Sequence, residues 1–88
     1  MKLPPEVADV LRSLAPAAKR KVRAALQQLR LEPELGDPVE RELIGLRRVR
    51  VGQLRIVYRL STTGLEILAI GPRSSIYTEL ERQARQGT

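Results

Sequence analysis

The chain has no cysteine, no histidine, no tryptophan and no phenylalanine. Without thiols or imidazoles, a Cys/His zinc site, a thiol nucleophile and an imidazole acid or base are all excluded, which removes most familiar catalytic constellations. Two tyrosines make up the whole aromatic content, too little for the platforms on which many nucleic-acid modules stack bases. Any contact with RNA or DNA must therefore run mainly through arginine. No apolar run approaches the ~20 residues of a membrane span, and neither a basic-then-apolar leader nor a disulfide is available. The expected setting is the cytoplasm, with no membrane partner. At 88 residues the chain has room for one domain, 1–88, with a modest core that buries roughly 60 to 65% of the unfolded surface.

What is present is positive charge. The formal net charge is +6, which favours an anionic partner but says nothing about fold. Its distribution is more useful. Residues 1–31 carry +5, 32–42 carry −4, 43–65 carry +5 and 66–88 balance, so two basic blocks are separated by an acidic connector.

The second basic block organises the chain. From Leu43 to Leu60 there are five arginines and no acid. Two alternating runs, Arg48 to Val51 and Leu54 to Leu60, flank Gly52-Gln53, the pattern of a β-hairpin with a two-residue type II′ turn. That register sets Val51 opposite Leu54, Arg50 opposite Arg55, Val49 opposite Ile56 and Arg48 opposite Val57, because opposed residues share a face. Val49, Val51, Leu54, Ile56, Tyr58 and Leu60 then form an apolar side; Arg48, Arg50, Arg55, Val57 and Arg59 form a basic one. Like charges placed opposite each other cost up to ~1 kcal/mol. No acid within these strands offsets that cost, so a polyanion is the expected partner of the basic side.

Around this hairpin the order is helix, helix, strand, strand, strand. Pro5 suits a first helical turn, and Val7, Val10, Leu11 and Leu14 make one apolar stripe. Pro16 ends that element and opens a second helix to about Leu29, with Ala18, Val22, Ala25, Leu26 and Leu29 inward. Lys19, Arg20, Lys21 and Arg23 fall largely outward, where a solvated helix face and a nucleic-acid contact are the alternatives. Leu31 to Glu42, with Pro33, Gly36 and Pro38, reads as a connector that begins the first strand near its end. Leu65 to Ile70 make a third strand, stopped by Gly71-Pro72. Arg73 to Tyr77 then fall just beyond the sheet, and Thr78 to Gln86 fit a short amphipathic helix. The fold class is α+β: an N-terminal helical hairpin packed on one face of a small antiparallel sheet, with Arg48 to Arg59 pointing away from the helices.

The run Leu43-Ile44-Gly45-Leu46-Arg47-Arg48-Val49-Arg50-Val51-Gly52-Gln53-Leu54-Arg55-Ile56-Val57-Tyr58, followed by Ile70-Gly71-Pro72-Arg73 and Tyr77, resembles the RelE/ParE toxins of bacterial toxin–antitoxin systems. The likeness covers most of the chain and implies the RelE/ParE toxin-like fold, with the family's N-terminal strand short or missing because only Met1-Lys2-Leu3 precede Pro4-Pro5. A sheet edge left open in this way would be covered by a second copy or by an antitoxin segment.

In the RelE branch the resemblance implies a ribosome-dependent endoribonuclease. Such an enzyme cuts messenger RNA in the decoding site, without metal or cofactor, by attack of a ribose 2′-hydroxyl on the adjacent phosphate. Carried over by position, Arg48, Arg50, Arg55, Arg73 and Tyr77 are the catalytic candidates. Arg47, Arg59, Lys19, Arg20 and Arg23 are the further RNA contacts. The implied partners are a cognate antitoxin, the ribosome and messenger RNA. Guanidinium forks suit a pentacoordinate phosphate, but arginine surrenders a proton poorly, and Tyr77 is the leading candidate base. Two alternatives stand beside this reading: a ParE-like inhibitor of DNA gyrase without nuclease chemistry, and a non-catalytic basic module that binds nucleic acid or the ribosome.

Overall fold

The two prolines that punctuate the N-terminal third set its helices. In the computed structural model, which describes residues 1–39, 45–62, 64–72 and 76, α1 spans Pro5–Ser13 and α2 spans Pro16–Leu31. Both begin with Pro at the first turn and lack a side-chain cap, since proline removes one of the N–H groups a cap would have to satisfy. Leu14 and Ala15 between them are extended, as the residue before a proline is driven to be. Helix α2 continues two residues beyond the expected Leu29. Nothing in Arg30-Leu31 breaks it, and the stop comes at Glu32, ahead of Pro33.

Four strands form one antiparallel sheet in the order β1-β2-β3-β4: β1 Asp37–Pro38, β2 Leu46–Val51, β3 Leu54–Ser61 and β4 Gly64–Pro72. The β2–β3 register matches the sequence reading pair for pair, from Val51 opposite Leu54 to Arg48 opposite Val57. Gly52 has φ +61°, the left-handed conformation that primed hairpin turns need at their first loop position. Strand β1 is an addition that the sequence did not give as a separate element. It pairs Asp37 with Arg48 and Pro38 with Arg47 at the outer edge of β2, a location where proline is tolerated.

Strand β4 departs from simple alternation. A bulge at the Val57/Tyr58 position lets Ile56 face Ile70 and Tyr58 face Ile67, so Leu65, Ile67 and Ile70 all join the helix-side core while Leu68 and Ala69 turn to the other side. The N-terminal strand is reduced to one parallel bridge. Lys2 N–H donates to the Leu65 carbonyl at 2.9 Å and the Ile67 N–H donates to the Lys2 carbonyl at 3.0 Å, which caps part of the β4 edge.

The main core lies between helices and sheet. Val7, Val22, Leu26, Leu29, Ile56, Tyr58, Leu65, Ile67 and Ile70 are buried there, with Val10, Leu11, Leu14, Ala25, Val49, Val51 and Leu54 packed around them. Both expected helical stripes therefore face the sheet. A second, smaller core occupies the opposite face, where Ile76 and Val57 are buried among Val39, Leu46, Leu68 and Ala69. The expected tail helix over Thr78 to Gln86 lies outside the described residues.

Candidate functional site

Cross-strand rows place the basic residues. On the face away from the helices one row reads Asp37, Arg48, Val57, Ala69 across the four strands, and the next reads Arg50, Arg55, Gly71. Arg48, Arg50 and Arg55 are thus brought together as expected. Asp37, Arg48, Arg50 and Arg55 line one hollow of about 300 Å³. A second hollow of about 300 Å³, lined by Arg50, Gly52, Gln53 and Arg55, adjoins it through the two shared arginines. Arg50 is exposed, Arg48 partly buried, and Arg55 only 6% exposed. Gly71, opposite Arg55, leaves that side of the row without a side chain. Guanidinium groups held close to the protein surface, where water screens less, bind an anion more strongly than the same groups in free solvent.

The other candidates separate from this group. Arg47 has the opposite parity and belongs to the helix-facing side of β2, opposite Tyr58. Its guanidinium donates to the Gly36 carbonyl at 2.8 Å and the Glu34 carbonyl at 3.3 Å, so it holds the connector rather than joining the basic face. Arg47 was expected among the RNA contacts; the alternating run, taken from Arg48, stopped one residue short of showing that Arg47 shares the parity of Val49 and Val51. Arg59 is on the basic face but lies beyond Val57 and pairs with Glu66 at 2.7 Å. Lys19, Arg20 and Arg23 are carried by α2, whose layer is on the far side of the sheet from Arg48, Arg50 and Arg55. Arg73 and Tyr77 lie outside the described residues, although Ile76, one residue before Tyr77 in the chain, packs on Val57.

Asp37 lines the arginine hollow although sequence reasoning did not single it out. What delivers it is a buried latch on the opposite face. The Tyr58 hydroxyl donates to the Pro33 carbonyl at 2.7 Å and accepts from the Gly36 N–H at 2.8 Å. These bonds and those from Arg47 fasten residues 33–36, and the strand that follows starts at Asp37. Gly36 is needed for the fit, because a Cβ there would stand 2.6 Å from the Tyr58 hydroxyl and 2.7 Å from the Arg48 carbonyl. Burial raises the Tyr58 pKa above its usual value near 10, against smaller lowering by the Gly36 hydrogen bond and the Arg47 charge. Its phenol therefore stays protonated and keeps donating to Pro33.

Two N-terminal helices on one face of a four-stranded antiparallel sheet make an α+β fold of the RelE/ParE toxin type. A family model described as the ParE toxin of the type II toxin–antitoxin system parDE matches residues 5–77, and the chain belongs to this family. Among solved structures it is similar to the toxin–antitoxin complex RelBE2 from Mycobacterium tuberculosis, with 33% identity over 72% of this chain and 83% of that chain and a TM-score of 0.61. No curated protein matches it.

Proposed function

We propose that this toxin is a ribosome-dependent endoribonuclease that cleaves messenger RNA and so inhibits translation in the cytoplasm, restrained by a cognate antitoxin. The observation that carries the reading is the hollow formed by Arg48, Arg50 and Arg55. Three arginines that line one hollow from two paired strands suit a phosphate that gains charge as a ribose 2′-hydroxyl attacks it. Arg55, packed into the sheet face, is the preorganised donor, and Arg50, at the open end, admits the RNA. Arg73 and Tyr77 are proposed to complete the site, Arg73 as a further phosphate ligand and Tyr77 as a proton carrier. Arg59 is proposed as an outlying RNA contact. An antitoxin segment or a second copy is the expected cover for the part of the β4 edge beyond the Lys2 bridge.

Primer extension on a message held in bacterial ribosomes tests the proposal. Cuts within the decoding site with the wild-type protein, weakened by about 10²- to 10³-fold in Arg55→Ala, are expected; an intact message with folded wild-type protein would remove the nuclease reading. The match to a ParE family model favours a second reading, inhibition of DNA gyrase without RNA chemistry. In that case a gyrase supercoiling assay would respond to the wild-type protein while the message stayed whole.

A further inference from the structure

We infer that Ile76 is a positioning residue of this site: seated on Val57 and beside Gly71, it fixes where the chain returns to the arginine face and so holds Tyr77, the next residue, within reach of the hollow. This role rests on the nuclease reading above and deepens it.

Strand β4 ends at Pro72, opposed by Leu54 across the β3–β4 pair. By Ile76 the chain is back on the sheet. Ile76 is only 4% exposed and packs with Val57, which is fully buried. A Cβ built on Gly71 would stand 3.9 Å from the Ile76 Cβ, so the absence of a side chain at Gly71 leaves the room that Ile76 takes.

Both contacts belong to the arginine rows. Val57 is directly opposed to Arg48, and Gly71 to Arg55; opposed residues share a face, with Cβ atoms about 5 Å apart. Ile76 is therefore planted where the row of Arg48 meets the row of Arg55. An apolar side chain suits that place, because it anchors the chain by burial and draws on no guanidinium that phosphate binding would use.

The anchor bears on Tyr77 through the chain itself. Consecutive Cα atoms are about 3.8 Å apart, so Tyr77 starts beside a fixed point on the arginine face. Without that point its nearest tether would be Pro72, and five residues of chain allow a reach of ~17 Å. A proton carrier works only within hydrogen-bond reach of the group it serves, and a displacement of about 1 Å can cost about 10²-fold in rate. Arg73, between Pro72 and Ile76 in the chain, is tied at both ends by the same contact.

The test measures single-turnover cleavage of ribosome-held message over a range of protein concentrations for wild type, Ile76→Ala, Ile76→Val, Tyr77→Phe and the Ile76→Ala/Tyr77→Phe pair. Ile76→Ala is expected to lower the maximal rate by about 10- to 10²-fold with the half-saturating concentration nearly unchanged, and Ile76→Val to keep most of the rate. On the Tyr77→Phe background Ile76→Ala should cost little further, because both changes act through one group. The main core lies on the other face and does not include Ile76, so these variants are expected to fold. Should Ile76→Ala fail to, Ile76→Thr carries the same comparison, keeping a branched shape while placing a hydroxyl in the apolar contact. A full maximal rate in the folded variant overturns the inference, as does a loss of equal size with and without Tyr77, or a loss confined to the half-saturating concentration. A second reading is independent of cleavage. The chain has no tryptophan, so Tyr77→Trp supplies a single fluorescent reporter, and its anisotropy should fall when Ile76→Ala is added; unchanged anisotropy overturns the anchor. Failure of the wild type to cut removes the nuclease reading and the catalytic part of this role, and the anisotropy pair then decides the anchor alone.

Discussion

The two faces of the sheet carry arginine for opposite reasons, and β2 shows both within four residues. Arg47 points to the helix side and donates to two carbonyls of the connector; Arg50, three residues on, is exposed in a hollow shared with Asp37, Arg48 and Arg55. One guanidinium satisfies backbone carbonyls of the connector; the other is left at the surface, where the proposed function gives it an anion to bind. Cross-strand position decides the role: Arg47 is opposed by Tyr58, whose hydroxyl serves the same connector, whereas Arg50 is opposed by another arginine.

The comparison can be broken or sharpened by substitution, beginning with the core that supports both faces. Leu29→Ala removes a fully buried side chain between α2 and the sheet and is expected to cost about 2–5 kcal/mol, read from urea unfolding. A loss below that range would mean that the helices contribute less to the scaffold than their burial implies. Gly36→Ala forces a Cβ against the Tyr58 hydroxyl and the Arg48 backbone. About 1–3 kcal/mol should be lost, and because β1 must shift, cleavage should weaken although no catalytic candidate has been changed.

Tyr58→Phe leaves the buried Gly36 N–H without its acceptor and the Pro33 carbonyl without its donor, at a cost of about 1–3 kcal/mol. This change also has a pH signature. The folded-state pKa of Tyr58 is raised, so the unfolded chain releases the phenolic proton first and stability falls as pH rises through about 10. Unfolding curves for wild type should shift to lower urea across that range more than those of Tyr58→Phe; equal shifts would deny the buried latch. The smallest effect belongs to Arg59→Gln. Its exposed pair with Glu66 is worth about 1 kcal/mol or less, and with Val57 and Ile76 between it and the hollow, cleavage should change little. A large loss of cleavage would make Arg59 part of the catalytic group and not the outlying RNA contact proposed for it.

Much of this division was legible in the residues. Period-two alternation with Gly52 at the turn fixed the β2–β3 register, and the same alternation placed Arg48, Arg50 and Arg55 on one face. Helical stripes at three- and four-residue spacing identified Val7, Val22, Leu26 and Leu29 as inward. Strand β4 was harder, because Leu65, Ile67 and Ile70 share a face only through a bulge, and no local signal in Leu68-Ala69 announces one. Strand β1 was not legible as an element. Two residues, one of them proline, have no periodicity, and their position depends on Tyr58, more than twenty residues away in the chain. Asp37 was hidden with it, as one of several acids in a connector. The cover that Ile76 provides over Val57 was hidden as well, since an apolar residue among arginines carries no mark of what packs on it.

The central claim is that the face bearing Arg48, Arg50 and Arg55 performs the chemistry while the opposite face holds the fold. It is tested most directly by primer extension on ribosome-bound message with Arg50→Ala, an exposed residue whose loss leaves the core untouched. The account predicts cleavage reduced by about 10²- to 10³-fold in a protein that unfolds at the wild-type urea concentration. Undiminished cutting by that variant would contradict it.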